Sequence, residues 1–325
     1  MHDTKLSIGG CYSLLLILAA TIGLIEYGGL IDQPGSLLLT LTFWGSIIQG
    51  AVAVAAVTAL VRAQWIASLR RELLALYPML LLLALLFALL WPQLDLFPWS
   101  DHPTIWLNRP FFMGRNLVSL LLTFLAGRQL ALHSTSGAPF KDRYAVIYLA
   151  TFVLSQSLLG FDWLMSAAYP WISTMFGLYF FTEALYAGIA VSGLAMLLYF
   201  RPRMQIAPKD TAHHLRDVGL LLFGFSILWA GLFFAQFLLI WYANLPEEVH
   251  FVTERLASFP ERELCWLFLL GLFLVPFVAL LGSQAKGDLR FVSAVSLLVL
   301  TGLFAERLFI LLPVIPYHGG ALLLY

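Results

Sequence analysis

The sequence predicts an all-α, polytopic transmembrane protein with about nine to ten membrane-spanning helices. Of its 325 residues, 61% are hydrophobic and only 11% are charged. A soluble globule of this composition would not have enough polar surface to cover its apolar core. The apolar residues also gather into separate runs that are long enough to cross a hydrocarbon layer of about 30 Å. A bundle of helices in a membrane accounts for both observations.

Nine apolar runs of spanning length follow one another along the chain. They cover residues 7–27, 36–62, 73–92, 111–132, 144–164, 171–200, 217–243, 263–284 and 289–311. The first run lacks a small-residue cleavage motif, so we interpret it as a retained helix and not as a signal peptide. In the tail Leu312–Tyr325, two prolines and a Gly-Gly pair break the pattern. The tail is therefore either a re-entrant end or the start of a tenth helix.

The distribution of basic residues predicts the orientation of the bundle, since the formal net charge is zero. Alternating the loops between two sides assigns thirteen of the eighteen Lys and Arg residues to the side of the N-terminus. These are Lys5, Arg62, Arg70, Arg71, Arg128, Lys141, Arg143, Arg201, Arg203, Lys209, Arg216, Lys286 and Arg290. An excess of Lys and Arg marks the cytoplasmic side, so we expect a cytoplasmic N-terminus. The aromatic loops 93–110 and 244–262 on the other side are typical of headgroup anchoring or of docking to an extramembrane partner.

Two carboxylates interrupt the apolar runs, Asp162 at the end of the fifth and Glu183 within the sixth. If the sixth helix begins near Trp171, Glu183 lies roughly 18 Å along it, near the middle of the hydrocarbon layer. A carboxylate at that depth is turned inward, protonated or paired, and it marks a functional site by default. We therefore predict that Asp162 and Glu183 belong to one proton path that opens to the non-cytoplasmic side.

Hydroxyl groups share the helix faces of these two carboxylates. They are Tyr148, Thr151 and Ser155 in the fifth run, and Tyr179, Thr182 and Tyr186 in the sixth. Such side chains can hold a file of water, which would support the proton path. The alternative is that they hydrogen-bond to neighbouring helices and hold the bundle together.

The seventh run and the loop after it offer a candidate quinone site. Trp229 and Gln236 are seven residues apart and share a face, and the aromatic residues around them would form a wall against a flat isoprenoid-quinone ring. Glu248 and His250 follow at the water boundary, where a carboxylate and an imidazole can take protons from a quinol hydroxyl. Plain aromatic packing is the alternative for the first pair, and a solvated loop is the alternative for the second.

Three further charged residues lie near helix ends. Glu306 and Arg307 are adjacent near the end of the ninth run, where we expect a structural ion pair at the level of the lipid headgroups. Arg115, near the start of the fourth run, either snorkels outward or supplies a fixed positive charge to an inward carboxylate.

The sequence offers no metal-binding motif. Its two cysteines, Cys11 and Cys265, lie in apolar segments without a CxxC or CxxCH pattern, and six of its seven histidines fall in predicted loops or helix ends. We therefore predict that the chain itself binds no metal and no haem. The charge pattern does not indicate a nucleic-acid partner. A phosphate loop, a nucleophile elbow and an HExxH motif are also missing from the sequence, which excludes most classes of enzyme that act alone.

Five segments together resemble the ActF membrane subunits of alternative complex III, which belong to the NrfD-like, or polysulfide-reductase membrane-subunit, family. The segments are RAQWIASLRRE (62–72), FPWSDHPTIWLNRPFFMGR (97–115), FDWLMS (161–166), STMFGLYFF (173–181) and QFLLIWYANLPEE (236–248). The resemblance covers residues 36–312. Where the family continues FDWLMS with LEPHW, this chain has AAYP at 167–170 before Trp171, so an acidic residue and a histidine of the family pattern are missing.

The resemblance implies two four-helix bundles, at 36–165 and 166–312, with a peripheral helix at 1–35 and a tail at 313–325. It implies an integral membrane subunit of a quinol:electron-acceptor oxidoreductase in the bacterial inner membrane. Quinone, as menaquinone or ubiquinone, would reach a cavity in this subunit. Haem c and iron–sulfur clusters would belong to partner subunits, accompanied by a second NrfD-like subunit and a terminal oxidase.

Two other functions stay open at this point. Midplane carboxylates and polar helix faces are also expected of a secondary transporter. Transporters of that kind bind substrate at helices broken near the midplane, whereas here only Pro276 is clearly internal to a run. The proline positions therefore favour a redox-complex subunit over a transporter. A purely structural membrane anchor is the third possibility, since two residues of the family pattern are missing.

Overall fold

The structure of the protein is a computed structural model. The residues that it describes are 8–28, 34–63, 65–67, 69–135, 142–200 and 208–315. Within those ranges the chain is helical without strands, and nine segments are long and apolar enough to cross a membrane. They are Gly10–Tyr27, Ser36–Leu60, Arg70–Ala88, Arg109–Ser134, Asp142–Ala168, Phe176–Leu198, His214–Ala243, Glu261–Ala279 and Leu289–Leu311. The prediction of an all-α, multi-pass membrane protein is confirmed.

The helices are numbered in chain order. They are α1 (Ile8–Tyr27), α2 (Ser36–Leu60), α3 (Arg70–Leu74), α4 (Tyr77–Ala88), α5 (Arg109–Thr135), α6 (Asp142–Leu159), α7 (Phe176–Phe200), α8 (Pro208–Ala243), α9 (Pro246–Ala257), α10 (Glu261–Leu269), α11 (Val275–Ala279) and α12 (Leu289–Leu311). The π-helical segment Gly160–Met165 continues α6, and Leu270–Leu274 joins α10 to α11. Residues 316–325, and with them the predicted tenth helix, lie outside the described residues. The same holds for four of the basic residues used for orientation, namely Lys5, Lys141, Arg201 and Arg203.

One helix boundary changes the expected depth of a candidate residue. The sixth spanning helix, α7, begins at Phe176 and not near Trp171, because the segment after Pro170 is not helical. Glu183 is therefore seven residues into its helix, which corresponds to roughly 10 Å and not 18 Å. The carboxylate therefore lies between the start of α7 and its middle, closer to that end of the bundle than the sequence predicts.

For description, we divide the spanning helices other than α1 into two groups of four, which share the most extensive helix contact of the bundle, between α2 and α7. In the first group α2, α4, α5 and α6 pack on one another, and α1 lies against α4 at its edge. In the second group α7 packs on α8 and α12, and α10 packs on α12. The two groups meet where α2 packs along α7.

Two glycines allow this close contact between α2 and α7. A Cβ atom on Gly50 would overlap the carbonyl of Ala184, and a Cβ atom on Gly188 would overlap the carbonyl of Gly50. Small residues let helices in a membrane approach until their backbones touch. Because Glu183 precedes Ala184, the contact sets Glu183 beside the middle of α2.

The starts of α2, α5, α7 and α10 and the ends of α6, α8 and α12 lie at one end of the bundle, which we call the cavity end. Two short 3₁₀ helices, Trp91–Leu96 and Pro98–Ser100, cover the first helix group there. The Trp99 indole N–H donates to the hydroxyl of Ser166 at 3.1 Å, which ties this loop to the end of the fifth span. The amphipathic helix α9 covers the second group. Asp162, at the end of the fifth span, and Glu183, in the first half of α7, both lie towards this end.

Candidate functional site: two charge clusters and a cavity

The first buried charge cluster lies in the first helix group and consists of Arg115, Asp162 and Asn116. The Arg115 guanidinium donates to both oxygens of Asp162, through Nε and Nη2, each at 2.7 Å. Asn116 donates to the same carboxylate at 2.6 Å, and Arg115 also donates to the carbonyl of Trp106. Asp162 is fully buried. Contrary to the prediction, its carboxylate therefore does not reach the surface. Of the two arrangements expected for Arg115, the structure shows the one in which it pairs with an inward carboxylate.

The second cluster joins three charged residues of the second helix group. Arg307 on α12 donates from Nη2 to Glu183 on α7 at 2.7 Å, and its Nη1 lies 3.4 Å from the adjacent Glu306. The Tyr179 hydroxyl donates to Glu306, and Arg307 also donates to the Ser46 hydroxyl on α2 at 3.3 Å. At most 2% of any of the three charged residues is exposed. One guanidinium thus serves two carboxylates.

The second cluster keeps unused hydrogen-bonding capacity. Oε1 of Glu183 and Nε of Arg307 have no hydrogen-bonding partner in the part of the chain that the structure describes. The guanidinium also lies 4.6 Å from the ring centre of Phe180. Glu306 and Arg307 are paired as predicted, but both side chains turn into the bundle and do not face the lipid headgroups.

A cavity of about 450 Å³ lies next to the second cluster. It is partly open and is bounded by the start of α7, the ends of α8 and α12, and helices α9 and α10. Its lining consists of Trp171, Phe176, Tyr179, Phe233, Gln236, Phe237, Ile240, Phe251, Val252, Leu256, Arg262, Cys265, Trp266, Phe268, Leu269, Glu306, Phe309 and Ile310. Apolar side chains dominate, and Tyr179 and Glu306 bring the charge cluster to the wall. The cavity and the cluster therefore form one continuous site.

Of the two predicted quinone-site residues on α8, Gln236 is in the lining of this cavity and Trp229 is not. Gln236 lines it and accepts a hydrogen bond through Oε1 from the Ser173 hydroxyl at 3.1 Å. Trp229 lies behind the wall, with its ring stacked on Phe233 at a centroid distance of 5.3 Å and an angle of 12°. The Trp229 indole N–H has no partner among the described residues. Gln236 can contact a ligand directly, whereas Trp229 supports the aromatic wall.

The other two predicted residues lie elsewhere. His250 is on the exposed side of α9, with Nε2 at 3.8 Å from a carboxylate oxygen of Glu254, and Glu248 is half-buried near the start of the same helix. Neither residue is in the cavity lining. In this structure, His250 and Glu248 are therefore not part of the cavity wall.

Helix α9 covers one side of the cavity, and Arg255 holds this helix against the end of α12. Its guanidinium donates to the carbonyls of Phe309 at 3.2 Å, Ile310 at 3.1 Å and Phe251 at 3.0 Å. The first two carbonyls belong to the last turn of α12, where a cation is favoured by the helix dipole. Burial lowers the pKa of Arg255 to about 10, partly offset by the carboxylates of Glu254 and Glu261. The side chain therefore stays charged at neutral pH, and the clamp holds.

The remaining predicted proton-path residues divide between the two helix groups. The Tyr148 hydroxyl donates to the carbonyl of Gln49 at 3.0 Å, and the Thr151 hydroxyl donates to the carbonyl of Tyr148 at 2.9 Å. Ser155 is fully buried. On α7, the Tyr186 hydroxyl donates to the carbonyl of Leu272 at 3.2 Å, and Thr182 is buried beside Glu183.

Two of the predicted acid groups thus occupy different clusters. Asp162 pairs with Arg115, and Glu183 pairs with Arg307. Sequence reasoning missed Glu306 and Arg307 as members of the site because of their position near a helix end. The spacing along α12 would have predicted an inward position, since Glu306 follows Val299 by seven residues and Gly302 by four, and these residues share the buried face of the helix.

Compared with protein-family models and with curated proteins, the chain has no significant match. Among the described residues, no group of three or more His, Cys, Asp and Glu side chains is arranged to hold a metal ion.

Proposed function

We propose that this chain is a membrane subunit of a respiratory quinol-oxidising complex in a bacterial cytoplasmic membrane, with its N-terminus in the cytoplasm. In this role it would provide a quinone-accessible cavity and a proton path that begins at the cavity wall. The supporting observation is the direct contact between an apolar cavity and a buried cluster with one more carboxylate than cation. The resemblance to ActF subunits favours the same assignment.

The cavity suits an amphipathic ring. Its volume of about 450 Å³ lies within the range of roughly 300–1,000 Å³ that is usual for small-molecule sites. Phe233 and Phe268 offer flat faces, while the Tyr179 hydroxyl, Glu306 and Gln236 supply polar groups. A quinone ring needs this combination, because its faces are apolar and its two oxygens form hydrogen bonds.

The charge balance of the second cluster suits proton uptake. With Arg307 charged, two ionised carboxylates would leave one uncompensated negative charge in a buried site, which is costly. The cluster is neutral when Glu183 and Glu306 share a single proton. Oxidation of quinol to quinone releases two protons and two electrons. A carboxylate at the cavity wall can accept one proton at a time and pass it inward, and the electrons leave to haem c and iron–sulfur groups of partner subunits.

The proposal predicts a functional loss without a stability loss when either carboxylate becomes an amide. Glu306→Gln and Glu183→Gln each keep the side-chain shape and leave one carboxylate for Arg307. We expect both variants to assemble normally and to lower the number of protons translocated per electron. The measurement uses the purified complex in proteoliposomes with a quinol substrate and a pH-sensitive dye.

The matched control is Asp95→Asn, which changes an exposed carboxylate in the same way. Its side chain is 71% exposed and pairs with Arg109 at the surface. An unaltered proton-to-electron ratio in both Glu variants would leave these carboxylates only a structural role. The subunit would then be an anchor of its complex.

One observation favours a secondary transporter as a second candidate. The eighth span is interrupted by the π-helical segment Leu270–Leu274, followed by Pro276, and broken spans bind substrates in transporters. However, the only described side-chain hydrogen bond to that segment comes from Tyr186. Solute uptake by vesicles that contain this chain alone would favour the transporter.

A further inference from the structure

A group of buried polar atoms between α2 and α6 has no assigned role. Both side-chain heteroatoms of Gln49, the hydroxyl of Ser155 and Oε1 of Gln156 lack hydrogen-bonding partners among the residues that the structure describes. All three residues are fully buried. Buried polar groups in native proteins nearly always find a partner, either in the protein or in ordered water. Four unsatisfied atoms at one interface therefore require a common explanation.

Hydrogen bonds across the interface fix these residues opposite one another. Gln156 donates through Nε2 to the carbonyl of Gly45 at 3.2 Å, and Tyr148 donates to the carbonyl of Gln49 at 3.0 Å. Ser155 is next to Gln156 and lies two helical turns from Tyr148 on the same face of α6. The unsatisfied atoms thus come from both helices and share one section of their interface.

Gly45 leaves space in this section. It is buried, yet a Cβ atom built on it would have no described atom within 4 Å outside its own stretch of helix. Side chains of a helix point towards its N-terminus, so the amide of Gln49 extends along α2 towards the level of Gly45, one turn earlier. The space and the unsatisfied amide therefore lie on the same side of α2.

We propose that this space is a water-binding site, formed by Gly45, Gln49, Ser155 and Gln156. A buried water needs about one probe sphere of space and two to four polar partners. The absent side chain of Gly45 provides the space, and the two glutamines and the serine provide donors and acceptors. An apolar occupant would leave all four atoms unsatisfied, which is unfavourable.

The water site would extend the proposed proton path beyond Glu183. Gly50 on α2 contacts the backbone of Ala184 on α7. The residues that precede them, Gln49 on α2 and Glu183 on α7, therefore lie at the same level of the contact between these two helices. Oε1 of Glu183 is also without a described partner. Water here would take a proton from Glu183 on one side and release another towards Tyr148. This role rests on the proposed function, whereas occupancy of the site by water does not.

Hydroxyl-radical footprinting with synchrotron X-rays tests the occupancy, because radicals formed from bound water modify the side chains next to it. The full chain is irradiated together with any subunits that accompany it after mild detergent extraction. Tyr148 and Tyr186 form a matched pair, since both are fully buried and both donate to a backbone carbonyl. We expect Tyr148 to be modified severalfold faster than Tyr186. Equal slow rates at both tyrosines would overturn the water site.

The variant Gly45→Ala sharpens the test, because it fills the space without removing a polar group. We expect it to lower the rate at Tyr148 severalfold and to leave Tyr186 unchanged. Gly231→Ala on the exposed face of α8 is the control, since a Cβ atom there also meets no described atom within 4 Å. An unchanged Tyr148 rate in Gly45→Ala would contradict the location of the site.

The proton role is decided separately by the proton-to-electron ratio of Gly45→Ala. A lower ratio would support water transfer beyond Glu183. If labelling falls while the ratio stays at the wild-type value, the water site stands and its transfer role is rejected. The proposed function itself is tested by Glu183→Gln and Glu306→Gln, which leave the space at Gly45 unchanged. Failure of one proposal is thus distinguishable from failure of the other.

Discussion

Two arginines, Arg115 and Arg307, pair with buried carboxylates inside this bundle, and the number of carboxylates per arginine differs. Arg115 is paired with Asp162 alone, and Asn116 and the carbonyl of Trp106 also bond to that pair, while Oδ1 of Asn116 has no partner among the described residues. Arg307 is shared by Glu183 and Glu306, and one carboxylate oxygen and one guanidinium nitrogen keep no partner in the described chain.

The two clusters also differ in their access to a ligand. The Asp162 carboxylate is closed in by protein, whereas Glu306 forms part of a cavity wall. A balanced and enclosed pair has no proton to exchange and no ligand to exchange it with. A cluster with a surplus carboxylate beside a cavity has both. The difference suggests that the first cluster stabilises the fold and that the second carries the chemistry.

The largest expected effect is a loss of stability when the first cluster loses its carboxylate. Asp162→Asn would leave the Arg115 charge buried without a counter-ion, which costs about 3–5 kcal/mol when a buried pair loses one partner. We expect a correspondingly lower midpoint of thermal unfolding in detergent. In the protein that remains folded, the proton-to-electron ratio should not change.

Asp95→Asn is again the control, because its exposed pair contributes at most about 1 kcal/mol. If Asp162→Asn is as stable as this control and lowers the proton-to-electron ratio, the two clusters do not differ in role. Asp162 would then return to the single proton path that the sequence predicts.

The next largest effect is the coupling energy between Glu183 and Glu306 in the second cluster. Each of Glu183→Gln and Glu306→Gln leaves Arg307 with one carboxylate, so each should change the free energy of unfolding by less than about 1 kcal/mol. The double variant leaves Arg307 without a counter-ion. We expect the double variant to lose about 2–3 kcal/mol more than the sum of the single effects. Additive effects in a double-mutant cycle would show that the two carboxylates do not share one cation.

The sequence predicted the fold better than the site because the two depend on different information. Long apolar runs fix the number and type of the spans, since each run must cross the hydrocarbon layer as a helix. Helix starts are less certain, because polar residues can extend a helix and a proline segment can delay it. α8 begins at Pro208 and not at 217, and α7 begins at Phe176 and not near Trp171.

Pairing between charged residues depends on tertiary contacts that no local pattern contains. Arg307 and Glu183 are separated by 124 positions in the chain, and they meet because α12 packs on α7. Arg307 lies near the end of α12, so the sequence suggested a location at the lipid headgroups. Its side chain is nevertheless on the face of α12 that packs into the bundle. The cavity was still less predictable, since it combines four spanning helices with the surface helix α9.

The smallest expected effect concerns access to the cavity, and it tests whether the second cluster is shielded by α9. Arg255→Met removes the three hydrogen bonds to the carbonyls of Phe251, Phe309 and Ile310, so α9 should open more often. Cys265 lines the cavity, and in a Cys11→Ser background it is the only thiol of the chain. We expect a maleimide to label Cys265 severalfold faster in Arg255→Met. Arg109→Met, at an exposed pair away from α9, should keep the original rate, and equal rates in both variants would mean that Arg255 does not control access.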